Sequence, residues 1–243
     1  MLHIQKILFL DIETVPLARS LTELSEDMRQ LWEEKFETLK RRMPDRFEPD
    51  NTAKEAFDTN AGIYAEFGKI VCISVGFISI QNNVNTFRIK SFAEKDELNL
   101  LKEFSLLVDR FFTTSEHNFC GHNIKEFDIP YICRRMLING MQLPKALQIN
   151  NKKPWEVNLM DTLDFWKFGD YKNYTSLRLL SAVLGIPTSK DDIDGSQVGE
   201  TYYLYDDLNR IVTYCQKDVL TTARIWLKMN GLPDIDLKDV QYV

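Results

Sequence analysis

The chain alternates short unbroken apolar runs with longer stretches in which apolar residues recur every three or four positions. These two periods predict a sheet packed against helices. Residues 6–12 (K-I-L-F-L-D-I) form a continuous apolar run ending in acids, as a buried central strand would. Leu21, Leu24, Met28, Leu31, Trp32, Phe36 and Leu39 keep helical spacing, which predicts an amphipathic helix over 20–43, ended by Pro44 and Pro49. Residues 44–66 read as loop with room for one short helix. A second strand is expected at 69–80, rich in Ile, Val and Phe, and a third at 84–91, paired back across the turn signal Asn82-Asn83. Beyond it the pattern predicts helices at 96–112, 129–139, 176–184 and 208–229, with short strands at 118–121 and 157–160. Gly140 stops the second of these helices; Thr175 or Ser176 caps the third, Gly185-Ile186-Pro187 closes it, and Gly231 and Pro233 stop the last. Strands come early and helices then alternate with short strands, so the expected fold class is α/β, a mixed sheet flanked by helices.

Composition narrows this only a little. A chain of 243 residues, 44% hydrophobic and 27% charged, has the size and make-up of a globular protein with a sizeable core. No apolar run approaches the ~20 residues of a membrane span, and residues 1–10 lack the features of a signal peptide. The expectation is a cytoplasmic protein without a membrane partner. Cys72, Cys120, Cys133 and Cys215 lie far apart with no C-x-x-C pair; they read as buried free thiols and argue against a cysteine zinc site. The net charge is −6 and the pI about 5.2. That balance argues against a broad basic surface that coats nucleic acid. It leaves room for an enzyme that grips a few nucleotides at a strand end, where metal ions supply the positive charge.

Three acidic constellations carry the candidate chemistry. Asp11-Ile12-Glu13 is a D-x-E at the end of the first strand. Residues i and i+2 of a strand share a face, so the two carboxylates project side by side and a cation between them is expected; their hard oxygens favour Mg²⁺ or Mn²⁺. The second constellation is Asn123-x-x-x-Phe127-Asp128, between a short strand and a helix. Here Asp128 would equally serve as a helix cap and Phe127 as a core residue. The third is Tyr214-x-x-x-Asp218, which spacing puts on one face of the long last helix. Tyr202/Asp206 and Tyr203/Asp207 match the same pattern, but Asp206 and Asp207 precede that helix and suit its N-cap.

Together these segments resemble the DEDD superfamily of 3′-5′ exonucleases, in the variant with tyrosine in its third motif, since Thr213 occupies the position where the alternative has histidine. The nearest resemblance is to the proofreading domain of family B DNA polymerases, without a polymerase segment, and it runs over about residues 6–228. Met160-Asp161-Thr162, Ser176-Leu177 through Gly185, and 190–198 (K-D-D-I-D-G-S-Q-V) support it. The resemblance implies a ribonuclease H-like fold in a single domain, 1–243, with a mainly helical insertion at about 18–62. It implies two divalent metal ions, Mg²⁺ or Mn²⁺, held by Asp11, Glu13, Asp128 and Asp218, with Asp11 bridging both and Tyr214 orienting the attacking water. Thr14, Asn123, Phe127 and Lys190 are the implied substrate contacts. The implied partner is single-stranded nucleic acid, read as DNA with RNA as the rival.

Two other readings stand beside this one. The string I-L-F-L-D-I-E-T-V also resembles the nucleophile strand of haloacid dehalogenase-like phosphatases, but Glu13 replaces its second Asp. After Gly169-Asp170, Tyr174 and Thr175 occupy positions where that family needs an acid. A non-catalytic nucleic-acid-binding module is the remaining alternative, and the presence of all four acids and the tyrosine speaks against it.

Overall fold

The computed structural model describes residues 4–81, 84–170, 172, 174–187 and 193–243. The turn signal Asn82-Asn83 and the implied substrate contact Lys190 fall outside the described residues. The apolar run at the start becomes β1 (Ile7–Pro16), buried on both faces. It pairs antiparallel with β2 (Gly68–Gln81), which pairs antiparallel with β3 (Val84–Phe92). On the other side β1 runs parallel to β4 (Asn118–Gly121), and β4 parallel to β5 (Leu159–Asp161). A last short strand, β6 (Val240–Tyr242), adds in parallel to β3, giving a six-stranded mixed sheet in the order β5-β4-β1-β2-β3-β6.

Helices cover both faces because alternate residues of β1 feed different cores. Leu8, Leu10 and Ile12 pack with α3 (Glu97–Phe111) and α4 (Asp128–Ile138) through Leu101, Phe104, Ile129 and Ile132. Ile7 and Phe9 face the other way, against Val219, Ala223 and Trp226 of α8 (Leu208–Met229). The Phe9 ring meets Trp226 and Phe87 edge-on at centroid distances of 6.0 and 5.9 Å. Each such fully buried side chain stabilises the fold by roughly 1.5–3 kcal/mol. α6 (Leu177–Val183) and α7 (Val198–Tyr203) pack against α8. Among the described residues no helix is long and apolar enough to cross a membrane.

The segment between β1 and β2 departs from the expected pattern. One helix over 20–43 was expected; instead a 3₁₀ turn at Leu21–Glu23 precedes α1 (Glu26–Arg42). Ser20 and Ser25 explain the break, since each side chain accepts a backbone N–H and caps a new start. The short helix that 44–66 had room for is α2 (Ala53–Asn60), opened by a Thr52/Glu55 capping box. That T-x-x-E signature is readable in the sequence. Trp32, Phe36, Phe47, Phe57 and Phe67 give this segment its own apolar cluster. The sequence pattern also passes over α5 (Thr162–Lys167), α7 and β6, which are six, six and three residues long and too short to show a period.

Candidate active site

β1 presents Asp11 and Glu13 on the α8 side of the sheet, with Ile12 turned into the opposite core. A register shift between Glu13 and Thr14 against β2 re-aims the end of the strand, as bulges beside functional sites do. β4 pairs with β1 only as far as Phe9↔Cys120, so the β1 edge beyond it is open on that side. Asp128 fills the opening: the Ile12 N–H donates to Asp128 Oδ1 at 3.2 Å. Asp128 is therefore not a helix cap. Phe127 holds the cap position, and the Asp128 carboxylate, 4% exposed, is turned to the strand.

The loop that delivers Asp128 is over-determined. Asn123 sits at φ 65° and its carbonyl accepts the N–H of Phe127. Asp161, at the end of β5, accepts the N–H groups of Asn123 (2.9 Å) and Lys125 (3.2 Å) as well as that of Leu163, at the start of α5. Asp161 thus acts as a clamp on this loop. Gly121 leaves no room for a side chain, since a Cβ there would stand 2.6 Å from the Cβ of Ile124.

From above, α8 contributes Tyr214 and Asp218, one turn apart and joined by a side-chain hydrogen bond. Electrostatics shows the closeness of all these groups. Burial, then the charges of Asp128 and Asp218, push the Asp11 carboxyl well above its ordinary range. Burial, then Asp11 and Asp218, do the same to Glu13. Burial raises Asp128 to about 7, and burial followed by the fields of Asp218, Glu13 and Asp11 raises the Tyr214 phenol. Like charges so arranged cannot all ionise without a counter-charge.

Cys215, one residue after Tyr214, lies beneath the acids. Its thiol donates to Asp11 Oδ2 and to the Asp11 carbonyl, 3.4 Å each, and Cys72 is within hydrogen-bonding reach of it. The sequence marked both cysteines only as buried thiols; their placement under the carboxylates follows from α8 crossing β1 and β2. Asp11, Glu13 and Cys215 hold their possible ligand atoms within 4.8 Å of one another. Burial keeps the thiol protonated, so oxygen is the donor this site offers. Glu13 is 7% exposed and lies in the field of Asp11, Asp218 and Asp128. A buried carboxylate surrounded by other carboxylates fits a hard divalent cation.

Of the implied substrate contacts, Thr14 follows Glu13 on β1 and bonds the Tyr131 hydroxyl, while Phe127 packs partly buried against the Tyr131 ring at 5.5 Å. Asn123 is half-buried. Two cavities, of about 240 and 320 Å³, lie elsewhere, and none of the four acids lines them.

A family model described as a predicted 3′-5′ exonuclease related to the exonuclease domain of PolB matches residues 63–242. The match contains Asp128, Tyr214 and Asp218; Asp11 and Glu13 precede it and join them through the sheet. Among solved structures, the family B DNA polymerase from the hyperthermophilic archaeon Pyrobaculum calidifontis superposes with a TM-score of 0.52 at 15% identity. That superposition covers 92% of this chain and 25% of the polymerase, so the chain spans about a quarter of that protein's length. The likeness shows the ribonuclease H-like fold. No curated protein matches the sequence.

Proposed function

The chain belongs to the family of predicted 3′-5′ exonucleases related to the exonuclease domain of PolB, and from that premise we propose that it shortens single-stranded DNA from the 3′ end by hydrolysing phosphodiester bonds. The observation that carries this reading is the meeting of Asp11, Glu13, Asp128 and Asp218, from three separate elements, around a site where burial and then the charges of the other acids raise Asp11 and Glu13.

Asp11, Glu13, Asp128 and Asp218 would hold two divalent cations, Mg²⁺ or Mn²⁺. When bound, such ions stabilise charge on the attacking and leaving oxygens of a phosphodiester and make water acidic enough to react at neutral pH. The chain's own residues hold the geometry. Asp128 is locked by the Ile12 N–H, and Asp11 by the Cys215 thiol. The Tyr214 phenol stays protonated, because burial and its acidic neighbours raise it. It therefore donates its one proton to the Asp218 carboxylate, and its oxygen would accept from the attacking water and so orient it. Thr14, Asn123 and Phe127 border the place where the terminal nucleotide would lie.

Incubation of 5′-labelled single-stranded DNA and RNA with Mg²⁺ or Mn²⁺ tests the proposal. The expected result is a ladder shortening from the 3′ end of the DNA. Asp218→Ala should lower the rate at least about a thousandfold, since the lost charge stabilisation amounts to several kcal/mol. Tyr214→Phe should cost less, about tenfold to a hundredfold. An Asp218→Ala chain that digests like wild type would sink the assignment; faster shortening of RNA would move the substrate to RNA with the same site.

A further inference from the structure

Tyr174 is 67% exposed, on the segment that leads from α5 into α6. Its position is nonetheless set. Its ring stands edge-on to His122, with centroids 6.4 Å apart and planes at 68°. His122 is itself held at both nitrogens. Nε2 lies 2.9 Å from the carbonyl of Thr175, the residue after Tyr174, and Nδ1 lies 2.9 Å from the Thr162 hydroxyl. A carbonyl only accepts, so Nε2 carries the proton and donates to it. Burial keeps the ring's pKa below its ordinary value, and the Thr162 hydroxyl that meets Nδ1 also reaches the Gly121 carbonyl at 3.2 Å. The segment carrying Tyr174 is thereby pinned to the end of β4, at the head of the loop that delivers Asp128.

Partial burial, and after it the charges of Asp128 and Asp161, push the Tyr174 hydroxyl above its ordinary value. Through the His122 contacts Tyr174 stands beside the loop 122–128 that delivers Asp128. Phe127, the residue before Asp128, is packed against Tyr131 and the core. The Tyr174 ring, by contrast, is largely open to solvent. A rigid, bare aromatic face next to a phosphodiester site matches one class of group in such a substrate, the nucleobase. Stacking on it takes any base, because every base has a π-face.

We propose that Tyr174 is a stacking platform for a base of the single strand whose 3′ end the four acids hold, with His122 as the residue that positions it. This rests on the exonuclease reading and adds to it a substrate contact before α6. The ring would supply sequence-independent affinity that a chain of net charge −6 does not obtain from a basic surface.

The test is steady-state digestion of 5′-fluorescein-labelled oligothymidine by the full chain carrying Tyr174→Ala or Tyr174→Phe, with anisotropy of the same strand on each in an Asp218→Ala background. Tyr174→Ala should raise KM by about tenfold, in line with the loss of one stacked base, with kcat falling by less than KM rises. Its melting temperature should stay near wild type because the ring is exposed. Tyr174→Phe should recover most of the lost affinity, since it keeps the ring face and drops only the hydroxyl. Unchanged KM and anisotropy in Tyr174→Ala, with wild-type digestion intact, overturn this inference alone. Tyr174→Phe behaving like Tyr174→Ala overturns it too, by assigning the effect to the hydroxyl. A wild-type chain that neither binds nor shortens the strand overturns the exonuclease reading, and the platform with it.

Discussion

Asp128 holds its proton to a pH of about 7, against an ordinary 3.8, chiefly because it is buried. Between those values the folded chain binds a proton that the unfolded chain has released. The contribution of Asp128 to stability is therefore greatest below 3.8, falls as pH rises through this window, and levels off above about 7. Asp11 and Glu13 are raised in the same direction and add to the fall. In the presence of a chelator, wild type should lose melting temperature relative to Asp128→Asn as pH rises across the window. Asparagine keeps an acceptor for the Ile12 N–H and removes the ionisation. Adding Mg²⁺ should raise the wild-type melting temperature most above pH about 7, where the carboxylates are ionised. A wild-type curve parallel to that of Asp128→Asn would contradict the burial of a titrating group. Of the other motif residues, Asn123 has a backbone role beside any contact with substrate, because its φ of 65° is one that asparagine tolerates better than most residues.

At the scale of elements, α3 and α4 are joined to each other and to the start of β2 by one buried ion pair. Glu97, 8% exposed, accepts from Arg135 at 2.5 and 2.9 Å, from the Ile70 N–H at 2.7 Å and from Asn139 at 3.0 Å. Arg135 also donates to the Ala65 carbonyl. Removing one partner strands the other charge in the core, so Glu97→Ala should cost about 3–5 kcal/mol, read as a lower denaturant midpoint. A loss under about 1 kcal/mol would mean that water reaches Arg135. This pair was not legible in the sequence, where positions 97 and 135 fall in two separate expected helices and nothing local marks them as partners. The helices themselves were: α8 matches its expected bounds, and α3 and α4 begin and end within one residue of theirs. Their apolar stripes run for three turns or more, long enough for a period to show. Short elements carry no such signal and are held by caps instead, as Asp161 holds α5.

On the scale of the whole molecule, residues 21–67 form a cluster around Trp32, whose indole N–H donates to the Ala53 carbonyl at 2.7 Å and whose ring meets Phe57 and Phe67 edge-on. This cluster is separate from those on the two faces of the sheet. Trp32→Ala should cost about 3–5 kcal/mol within it. It should speed amide exchange across 21–61 while β1, β2 and β3 keep their protection. Exchange accelerating equally in the strands would mean that the segment and the sheet unfold as one unit. The sequence alone determined which stretches are strands and which long helices, because the side-chain period is local. For the same reason it put Asp11 and Glu13 on one strand face, and Tyr214 and Asp218 on one helix face. Tertiary structure alone decided that Asp128 takes the N–H of Ile12, 116 positions away, that Cys215 lies under Asp11, that β6 completes the sheet and that the Tyr174 ring meets His122. Each of these depends on strand order and on which strand edge is left open. Those properties belong to pairing between distant segments, and no local period encodes them.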